Sequence, residues 1–289
     1  MKHIFIINPS AGGGSALEFG QKIEKICQEE KLDYILHYTK APKEATAITK
    51  TYKKDEYIIY SVGGDGTLSE VVNGIIGSKN KLSVIPAGHG NDFYKSILKF
   101  DEEEQRIDIG WINGKYFINV VSFGIDAEVG SNANIFKHKR WVPKKQIYNA
   151  SIIYTLAKYQ FKKIEFTLSD IKMTGEYTIV AICNGGFYGN GYNIAPNANL
   201  NDGLFDVYFI DRISKTAIMK LVPKLKKGTH EKDPRINKKQ TSYIKVKTDL
   251  NMICQVDGEI LTNNKFKIKI IPDALTIYNN KEFIKKIIS

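Results

Sequence analysis

The sequence has few cysteines, few arginines and no long apolar run. Its three cysteines, Cys27, Cys183 and Cys254, are widely spaced among 289 residues and form no CxxC pair. This argues against a disulfide framework or a zinc site and favours a reducing, cytoplasmic location. No stretch approaches the roughly 18 consecutive apolar residues of a membrane-spanning helix. The opening MKHIFIIN is too short for a secretory signal core, so we expect it to form a strand.

The chain is basic, with a net charge of +11 carried almost entirely by lysine. Base-specific DNA readout leans on arginine forks, so the sequence does not favour a nucleic-acid partner. Two alternatives stay open, which are a lysine-rich compositional background and contact with an anionic membrane surface. Basic clusters at 137–140, 144–145 and 220–239 would attract lipid headgroups. The arginines are Arg106, Arg140, Arg212 and Arg235.

Strand-like and helix-like segments alternate over the first 110 residues. This alternation predicts a parallel sheet with helices on its faces. We expect strands at 3–8, 32–39, 57–62 and 82–86, and helices at 16–28, 43–53 and 67–76.

The pattern becomes β-rich after about residue 105, starting with a hairpin signal at Asn113-Gly114. One long helical stretch, 146–159, interrupts the β-like runs, so this half reads as an antiparallel sandwich. The amphipathic ending KEFIKKIIS predicts a helix that packs back on the first half. We therefore expect an α/β nucleotide-binding domain over 1–110, completed by 279–289, and a β-sandwich substrate domain over 111–278. The expected strands of the second half are 176–183, 204–210, 243–248, 252–256, 266–271 and 274–278. Exposed strand edges would allow a homodimer.

A glycine-rich acidic turn carries the strongest functional signal. A buried strand leads into Gly63-Gly64-Asp65-Gly66-Thr67 and then directly into a helix. Thr67 and Glu70 have capping-box spacing, and the glycines leave backbone amides open to an anion such as phosphate. Asp65 would repel a phosphate unless Mg²⁺ or a hydroxyl lies between them, and both belong in a phosphoryl-transfer site.

Two other loops follow predicted strands in the same way, at 8–14 and 86–92. In an open parallel sheet, ligands bind at the carboxyl ends of the strands, where such loops converge. Three loops in phase predict a nucleotide cleft. It is not of the Walker A type, because no GxxxxGK[ST] motif occurs.

These motifs together resemble the diacylglycerol kinase catalytic family, which includes bacterial lipid kinases and sphingosine and ceramide kinases. The resemblance rests on Asn-Pro-x-Ala-Gly at 8–12, GGDGT at 63–67 and Pro-Ala-Gly-x-Gly-Asn-Asp at 86–92. It continues through 183–186, 191–206 and Val-Asp-Gly-Glu at 256–259. It implies an α/β domain like those of NAD kinase and phosphofructokinase, a β-sandwich, and a site between them. The implied activity is ATP- and Mg²⁺-dependent phosphorylation of a lipid hydroxyl, with diacylglycerol the leading candidate.

The resemblance also implies roles for individual residues. Asp257 would accept the proton of the lipid hydroxyl, Asp65 is a rival for that role, and Glu259 would lie beside the nucleotide or its magnesium. A second, structural Mg²⁺ would be held by Asp202 and the carbonyls of Asn199 and Leu204. His89 departs from the Thr or Ser usual in the family. The residues expected at the ATP site are Asn8, Pro9, Ser10, Ala11, Gly12, Thr39, Gly63, Gly64, Gly66, Thr67, Leu68, Ser69, Glu70, His89, Asn91 and Asp92.

Two other functions remain open from the sequence alone. A kinase of a soluble substrate, in the manner of NAD kinase, would share the GGDGT loop. A non-catalytic lipid- or nucleotide-binding regulator would keep the fold and lose the activity. For the lipid kinase, the residues around Trp141, namely Lys139, Arg140, Lys144 and Lys145, are candidates for membrane contact.

Overall fold

The structure is a computed structural model that describes residues 1–137, 147–169 and 171–289. The residues predicted to contact a membrane, at 139–145, lie outside this described part of the chain.

The first half is a parallel sheet covered by helices, as its alternating pattern predicts. Three of its strands are almost wholly buried, which is typical of parallel strands with both faces covered. All neighbouring strands in the order β2-β1-β3-β4 run parallel. The elements are β1 (Lys2–Ile7), α1 (Ser15–Glu29), β2 (Tyr34–Tyr38), α2 (Glu44–Lys50), β3 (Tyr57–Gly63), α3 (Asp65–Ile75), β4 (Lys81–Pro86) and α4 (Asp92–Ile97), with a 3₁₀ turn at Ala11–Gly14.

The second half is dominated by antiparallel strands. Within the described ranges, no helix is both long and apolar enough to cross a membrane. The elements are β5 (Glu104–Ile112), β6 (Lys115–Phe117), β7 (Val120–Gly124), α5 (Ile125–Lys137), α6 (Ile147–Lys158), β8 (Lys163–Leu168), β9 (Ile171–Cys183), β10 (Phe187–Tyr188), β11 (Tyr192–Asn193), β12 (Phe205–Asp211), α7 (Lys215–Lys227), β13 (Ile236–Thr241), β14 (Tyr243–Val256), β15 (Glu259–Tyr278) and α8 (Lys281–Ile288).

Strand β15 joins the two halves into one hydrogen-bonded sheet. Most of it pairs antiparallel with β14 and β5, and its end pairs parallel with β4 through Thr276 and Ile277. Over the residues that the structure describes, the sheet therefore has 13 strands, and it changes from antiparallel to parallel along a single strand. The sequence predicts two strands, 266–271 and 274–278, where the structure has one. Its register shift lies between Ile271 and Leu275.

Strand β14 bends so that the sheet folds over its own core. The register against β15 shifts between Lys247 and Met252, where three extra residues form a bulge. Before the bulge β14 pairs with β8, and after it β14 pairs with β7. The two predicted strands 243–248 and 252–256 are thus one bent strand, and the bend closes the predicted sandwich.

Aromatic side chains fill the interior of this sandwich. Phe123 is fully buried, with ring centroids 5.1 Å from Phe266 and 6.0 Å from Phe166 in edge-on geometry, which is favourable for aromatic pairs. A separate core lies under α1 and α8, where Phe283 and Ile287 pack with Phe5. The C-terminal helix thus packs on the parallel sheet, as its amphipathic pattern predicts.

The prediction of one long helix in the second half was wrong, because α5 and α7 accompany α6. The α5 sequence contains Gly130 and two asparagines, which have low helix propensity. Helix α7 contains Pro223, which removes one helical hydrogen bond. Tertiary packing outweighs these costs, since α7 buries Ile218, Leu221 and Leu225. Its Ser214 N-cap and Gly228 C-cap were signals available in the sequence.

We expect Phe123→Ala to lower the free energy of unfolding by about 3–5 kcal/mol, because it leaves a cavity between two aromatic rings. Urea unfolding followed by circular dichroism measures this. Leu250→Ala is the control, since Leu250 is 77% exposed and should change stability by less than about 0.5 kcal/mol. Equal losses in both variants would contradict the assigned core.

Candidate active site

Three loops at the carboxyl ends of parallel strands meet backbone to backbone. The amide of Ala87 donates to the carbonyl of Gly63 at 2.9 Å, and the amide of Asn8 donates to the carbonyl of Val62 at 3.0 Å. A Cβ atom on Gly88 would lie 2.5 Å from the Cα of Gly64. A side chain there would push the loops apart, so glycine is required for this contact.

Thr67 links the GGDGT loop to the loop at 8–14, which follows β1. Its hydroxyl is almost buried and accepts a hydrogen bond from Asn8 Nδ2 at 3.1 Å. The capping-box prediction was wrong, because α3 already begins at Asp65, with Gly64 as its N-cap. Thr67 therefore lies inside the first turn of the helix rather than before it.

Glu70 supports a different helix from its own. Its carboxylate accepts hydrogen bonds from the amides of Lys43 at 2.8 Å and Ala45 at 3.2 Å. These amides lie at the start of α2 and have no partner within that helix. A carboxylate there also interacts favourably with the helix dipole. Glu70 thus fixes α2 against α3.

A cleft of about 360 Å³ opens where α2, α3 and the first loop meet. Six residues predicted for the ATP site line it: Asn8, Ser10, Thr39, Gly66, Thr67 and Glu70. Sequence reasoning missed the other four lining residues, Lys40, Ala41, Pro42 and Ala45. The available signal was their position just after β2, at the same edge of the sheet as the glycine loops.

The other residues predicted for the ATP site have different positions. Pro9, Ala11 and Gly12 belong to the loop after β1, and Gly63 and Gly64 end β3. Leu68 points into the core of the first half and is 2% exposed. Asn91 closes its own loop, since its side chain accepts from the amide of Gly88 and donates to the carbonyl of Gly88.

A second cleft, of about 610 Å³, lies between the two halves. It brings together Asp65, His89 and Asp92 from the first half with Asp257 from the second. The two acids that the sequence could not rank therefore lie in one cleft. The full lining is Asp65, His89, Gly90, Asp92, Asn119, Val120, Tyr188, Gly189, Asn190, Gln255, Asp257 and Gly258.

Asp65 holds the start of α4 with one of its two carboxylate oxygens. Its Oδ1 accepts the amides of Asp92 at 2.7 Å and Phe93 at 3.4 Å. Burial raises the pKa of Asp65, and the negative charge of Asp92 adds to that increase. Asp92 in turn accepts the amide of Asn190 at 2.9 Å and pairs with Lys95 at 3.1 Å. Asp65 and Asp92 thus connect the GGDGT loop to Asn190 of the second half through successive hydrogen bonds.

The Asp257 carboxylate is engaged by three backbone amides. Its Oδ2 accepts Ile118 N–H at 2.7 Å, and its Oδ1 accepts Asn119 and Val120 N–H, both at 3.0 Å. The residue has a φ of 45° at the turn between β14 and β15. Burial raises the pKa of Asp257 to about 6, although the amide hydrogen bonds oppose this. Asp257 therefore ties the turn to the segment before β7.

Glu259 lies in a neighbouring pocket of about 510 Å³, where its carboxylate is 2.5 Å from Lys115 Nζ. Glu70 lines both this pocket and the cleft of about 360 Å³ described above. Ser69, predicted for the ATP site, also lines the Glu259 pocket. The predicted residues therefore occupy three adjoining spaces instead of one.

The predicted structural Mg²⁺ site lies in the loop before β12. Asp202 Oδ1 accepts the amide of Leu204 at 3.0 Å, and Asn199 Oδ1 accepts the amide of Asn201 at 3.3 Å. Burial raises the pKa of Asp202, and the charges of Asp206 and Asp108 raise it further. The oxygens of these two neighbours are already engaged, because Asp206 pairs with Lys238 and Asp108 accepts the amides of Gly203 and Asp273.

The buried Asp108, missed from the sequence, holds the same loop through Gly203 N–H at 2.7 Å. In the described part of the chain, no three His, Cys, Asp or Glu side chains form a metal ligand set. A metal would therefore depend on the carbonyls of Asn199 and Leu204, and the site stays a prediction.

An apolar cavity lies between α5, α6, α7 and the sheet. Tyr188 lines both this cavity and the second cleft, so the two spaces adjoin. Asp126 contributes a carboxyl to the lining, and burial raises the pKa of Asp126 to about 6. Sequence reasoning missed this cavity because it missed α5 and α7. Its lining is Ile125, Asp126, Val129, Ile152, Leu156, Ile179, Tyr188, Tyr192, Ile218, Val222 and Leu225.

Two family models match the chain in the order of its two halves. Residues 119–279 match the YegS C-terminal NAD kinase beta sandwich-like domain, and residues 2–111 match the diacylglycerol kinase catalytic domain. The chain belongs to the family of proteins in which a diacylglycerol kinase catalytic domain is followed by a YegS C-terminal beta sandwich-like domain. The family resemblance and the fold class predicted from the sequence, an α/β domain followed by a β-sandwich, are both confirmed.

Relatives in the diacylglycerol kinase family match over most of their length. The diacylglycerol kinase of Bacillus subtilis (strain 168) is 26% identical over 88% of each chain. The diacylglycerol kinase of Staphylococcus haemolyticus is 27% identical over 73% of this chain and 67% of its own. A crystal structure from Bacillus anthracis str. Sterne gives a TM-score of 0.77 over 98% of this chain and 96% of its own, at 23% identity. At that identity the likeness shows the fold alone.

The raised pKa of Asp257 predicts a specific pH dependence of stability. Between its ordinary value of 3.8 and about 6, the folded state binds more protons at this carboxyl than the unfolded state does. The resulting stabilisation is full below pH 4 and lost as the pH rises through 6. Relative to Asp257→Asn, the free energy of unfolding of the wild type should fall by up to about 3 kcal/mol between pH 4 and 7.

Urea unfolding at four pH values measures this difference. Asp126 is present in both proteins, so its own titration cancels. Parallel pH profiles for the wild type and Asp257→Asn would contradict the assignment.

Proposed function

We propose that the protein is an ATP- and Mg²⁺-dependent lipid kinase that transfers a phosphate to the hydroxyl of diacylglycerol, giving phosphatidic acid. The observation that carries this proposal is the second cleft, because it contains Asp65 of the GGDGT loop and shares Tyr188 with an apolar cavity. A cleft that contains acidic side chains and an apolar cavity thus adjoin in one site. Two of the relatives, from Bacillus subtilis and Staphylococcus haemolyticus, are named diacylglycerol kinases, which supports diacylglycerol as the acceptor. Such a substrate requires the protein to work at a membrane surface, from the cytoplasm.

The cleft lined by Asn8, Thr39 and Gly66 is the proposed ATP site. The N-terminus of α3 and its glycine amides favour a phosphate group there. Bound Mg²⁺ supplies charge neutralisation to the transferring phosphate. Glu259 is a candidate to hold it, since its pocket shares Glu70 with the ATP cleft.

Asp65 is the better candidate for the group that accepts the hydroxyl proton. Its backbone hydrogen bonds engage Oδ1, and they leave Oδ2 for a substrate hydroxyl. Its raised pKa makes it a better base than an ordinary aspartate. Asp257 instead has both oxygens engaged by amides, so we assign it a positioning role.

The apolar cavity is the proposed site for acyl chains. Its aliphatic side chains from α5, α6 and α7 suit a hydrocarbon chain, and Asp126 offers an acceptor for a polar group of the lipid. The cavity measures about 60 Å³ in this conformation, so an acyl chain would have to separate the helices. A soluble acceptor such as NAD has no hydrocarbon chain that would occupy this apolar cavity.

Asp65→Asn should lower kcat by about 10²–10⁴-fold, because the amide cannot accept the proton. The amide oxygen can still accept the N–H of Asp92, so the Kd for ATP should change by less than about threefold. Transfer of labelled phosphate to diacylglycerol in mixed micelles, with ATP binding measured in parallel, tests both expectations. In the wild type, kcat should fall as the pH drops below the raised pKa of Asp65.

Asp257→Asn is the comparison for this experiment. We expect it to lower stability, with a smaller loss of kcat in the protein that remains folded. A fully folded Asp257→Asn without activity, beside an active Asp65→Asn, would reverse the two roles. Labelling of NAD without labelling of any lipid would refute the proposed substrate class.

Val222→Trp should raise the KM for long-chain diacylglycerol at least about tenfold, because the indole fills the cavity between α6 and α7. The KM for ATP should not change. Met219→Trp, on the same helix but 58% exposed, is the matched control and should leave both constants near wild type. Melting temperatures check that both variants fold. Unchanged KM values in folded Val222→Trp would show that acyl chains bind elsewhere.

A further inference from the structure

Two central strands of the sandwich place lysines directly opposite one another. In the antiparallel register of β14 and β15, Lys245 faces Lys267 and Lys247 faces Lys265. Lys269 lies on the same side of β15, two residues beyond Lys267. Lys172 of β9 belongs to the same row across the sheet as Lys245, because Thr167 of β8 lies between them and pairs with both. All of these lysines are exposed. We call this surface the lysine face; it consists of Lys172, Lys245, Lys247, Lys265, Lys267 and Lys269.

The positive charge of the lysine face is largely uncompensated. Like charges directly opposite each other on paired strands are destabilising, and two such pairs occur here. Among the residues that the structure describes, none of the six lysines forms an ion pair. Glu165 on β8 faces Lys247 in the register. The face therefore keeps a charge arrangement that the fold alone does not favour.

Aromatic side chains are interleaved with these lysines. The ammonium group of Lys269 lies 5.2 Å from the ring centroid of Trp111, and that of Lys245 lies 5.5 Å from the centroid of Tyr243. Both rings are half-buried in the same face. Tryptophan and tyrosine next to lysine are typical of the headgroup region of a membrane, where the rings are partly buried and the charges meet phosphates.

We propose that the lysine face docks the protein on an anionic membrane surface. The inference rests on the proposed function in one respect, since a lipid substrate requires an interface. The six lysines lie on β15, β14 and β9, and β8 lies between β14 and β9, so the face extends about 14 Å across the sheet at the usual strand spacing. A lysine is a compact charge on a flexible stem, which suits a fluid layer of headgroups.

Two other partners fit the lysine face less well. A second copy of the same face would bring lysines against lysines in a symmetric dimer. Specific nucleic-acid recognition favours arginine forks, and the six residues that define the face are all lysines.

The test is a quadruple variant that replaces four lysines by glutamine, which keeps long side chains and removes the charges. The substitutions are Lys245→Gln, Lys247→Gln, Lys265→Gln and Lys267→Gln. Co-sedimentation with vesicles of phosphatidylcholine containing roughly 30% phosphatidylglycerol, whose anionic headgroups attract basic residues, measures binding. Each lysine near such a surface contributes about fivefold in affinity, so the variant should bind more than about 100-fold more weakly. Wild type should not bind vesicles of phosphatidylcholine alone.

The matched control removes four exposed lysines of the first half and of α8: Lys22→Gln, Lys54→Gln, Lys79→Gln and Lys281→Gln. It has the same net charge as the first variant and should retain vesicle binding within a few fold. Equal losses in both variants would overturn the proposal, because net charge would then account for binding. Retention in both would overturn it as well. Tighter binding of duplex DNA than of vesicles, lost in the first variant alone, would assign the face to nucleic acid instead.

A kinase assay with a short-chain, water-soluble diacylglycerol and no vesicles separates this proposal from the proposed function. The lysine-face variant should match wild-type turnover there. If wild type phosphorylates no lipid, the proposed function fails while the vesicle results still test the surface. If wild type is active and the variant binds vesicles normally, the docking surface alone is wrong.

Discussion

Carboxylates that accept backbone N–H groups hold the whole cleft together. Asp65 fixes the start of α4, Glu70 fixes the start of α2, and Asp257 fixes the segment before β7. Hydrogen bonds to a charged acceptor are stronger than those between neutral groups. They also supply partners for amides at helix starts and turns that the regular elements leave unpaired. These hydrogen bonds thus fix the loops of the site to the helices and strands around them.

The same arrangement explains why acids in this cleft differ in their chemistry. Both carboxylate oxygens of Asp257 accept backbone amides, which supports the positioning role proposed for it. Asp65 uses only Oδ1 for hydrogen bonds among the described residues, which supports the proposal that Oδ2 meets the substrate hydroxyl. Position relative to backbone amides, more than burial, separates Asp65 from Asp257. Motif spacing carries no information on that difference.

Much of the first half could be predicted from the sequence, because parallel strands and helices alternate at regular spacing. The glycine loops at 8–14, 63–67 and 86–92 were found from their positions after strands, and the structure brings them together. The second half was harder. Helices α5 and α7 depend on tertiary packing that outweighs Gly130 and Pro223, so the apolar cavity that they line was not predicted. The bends in β14 and β15 arise from bulges, which produce no periodic pattern of apolar residues in the sequence.

Strand β15 has a mechanical consequence for the site between the halves. Its first part is hydrogen-bonded to β14, and its last residues lie between β5 on one side and β4 on the other. A hinge movement that opened the cleft widely would have to shear or break this ladder. A ligand could enter the cleft without breaking this ladder only through smaller displacements, such as those of the short β10–β11 hairpin that carries Tyr188. An isolated first half would end with β4 as an unprotected sheet edge, so the two halves should be produced and should unfold as one unit.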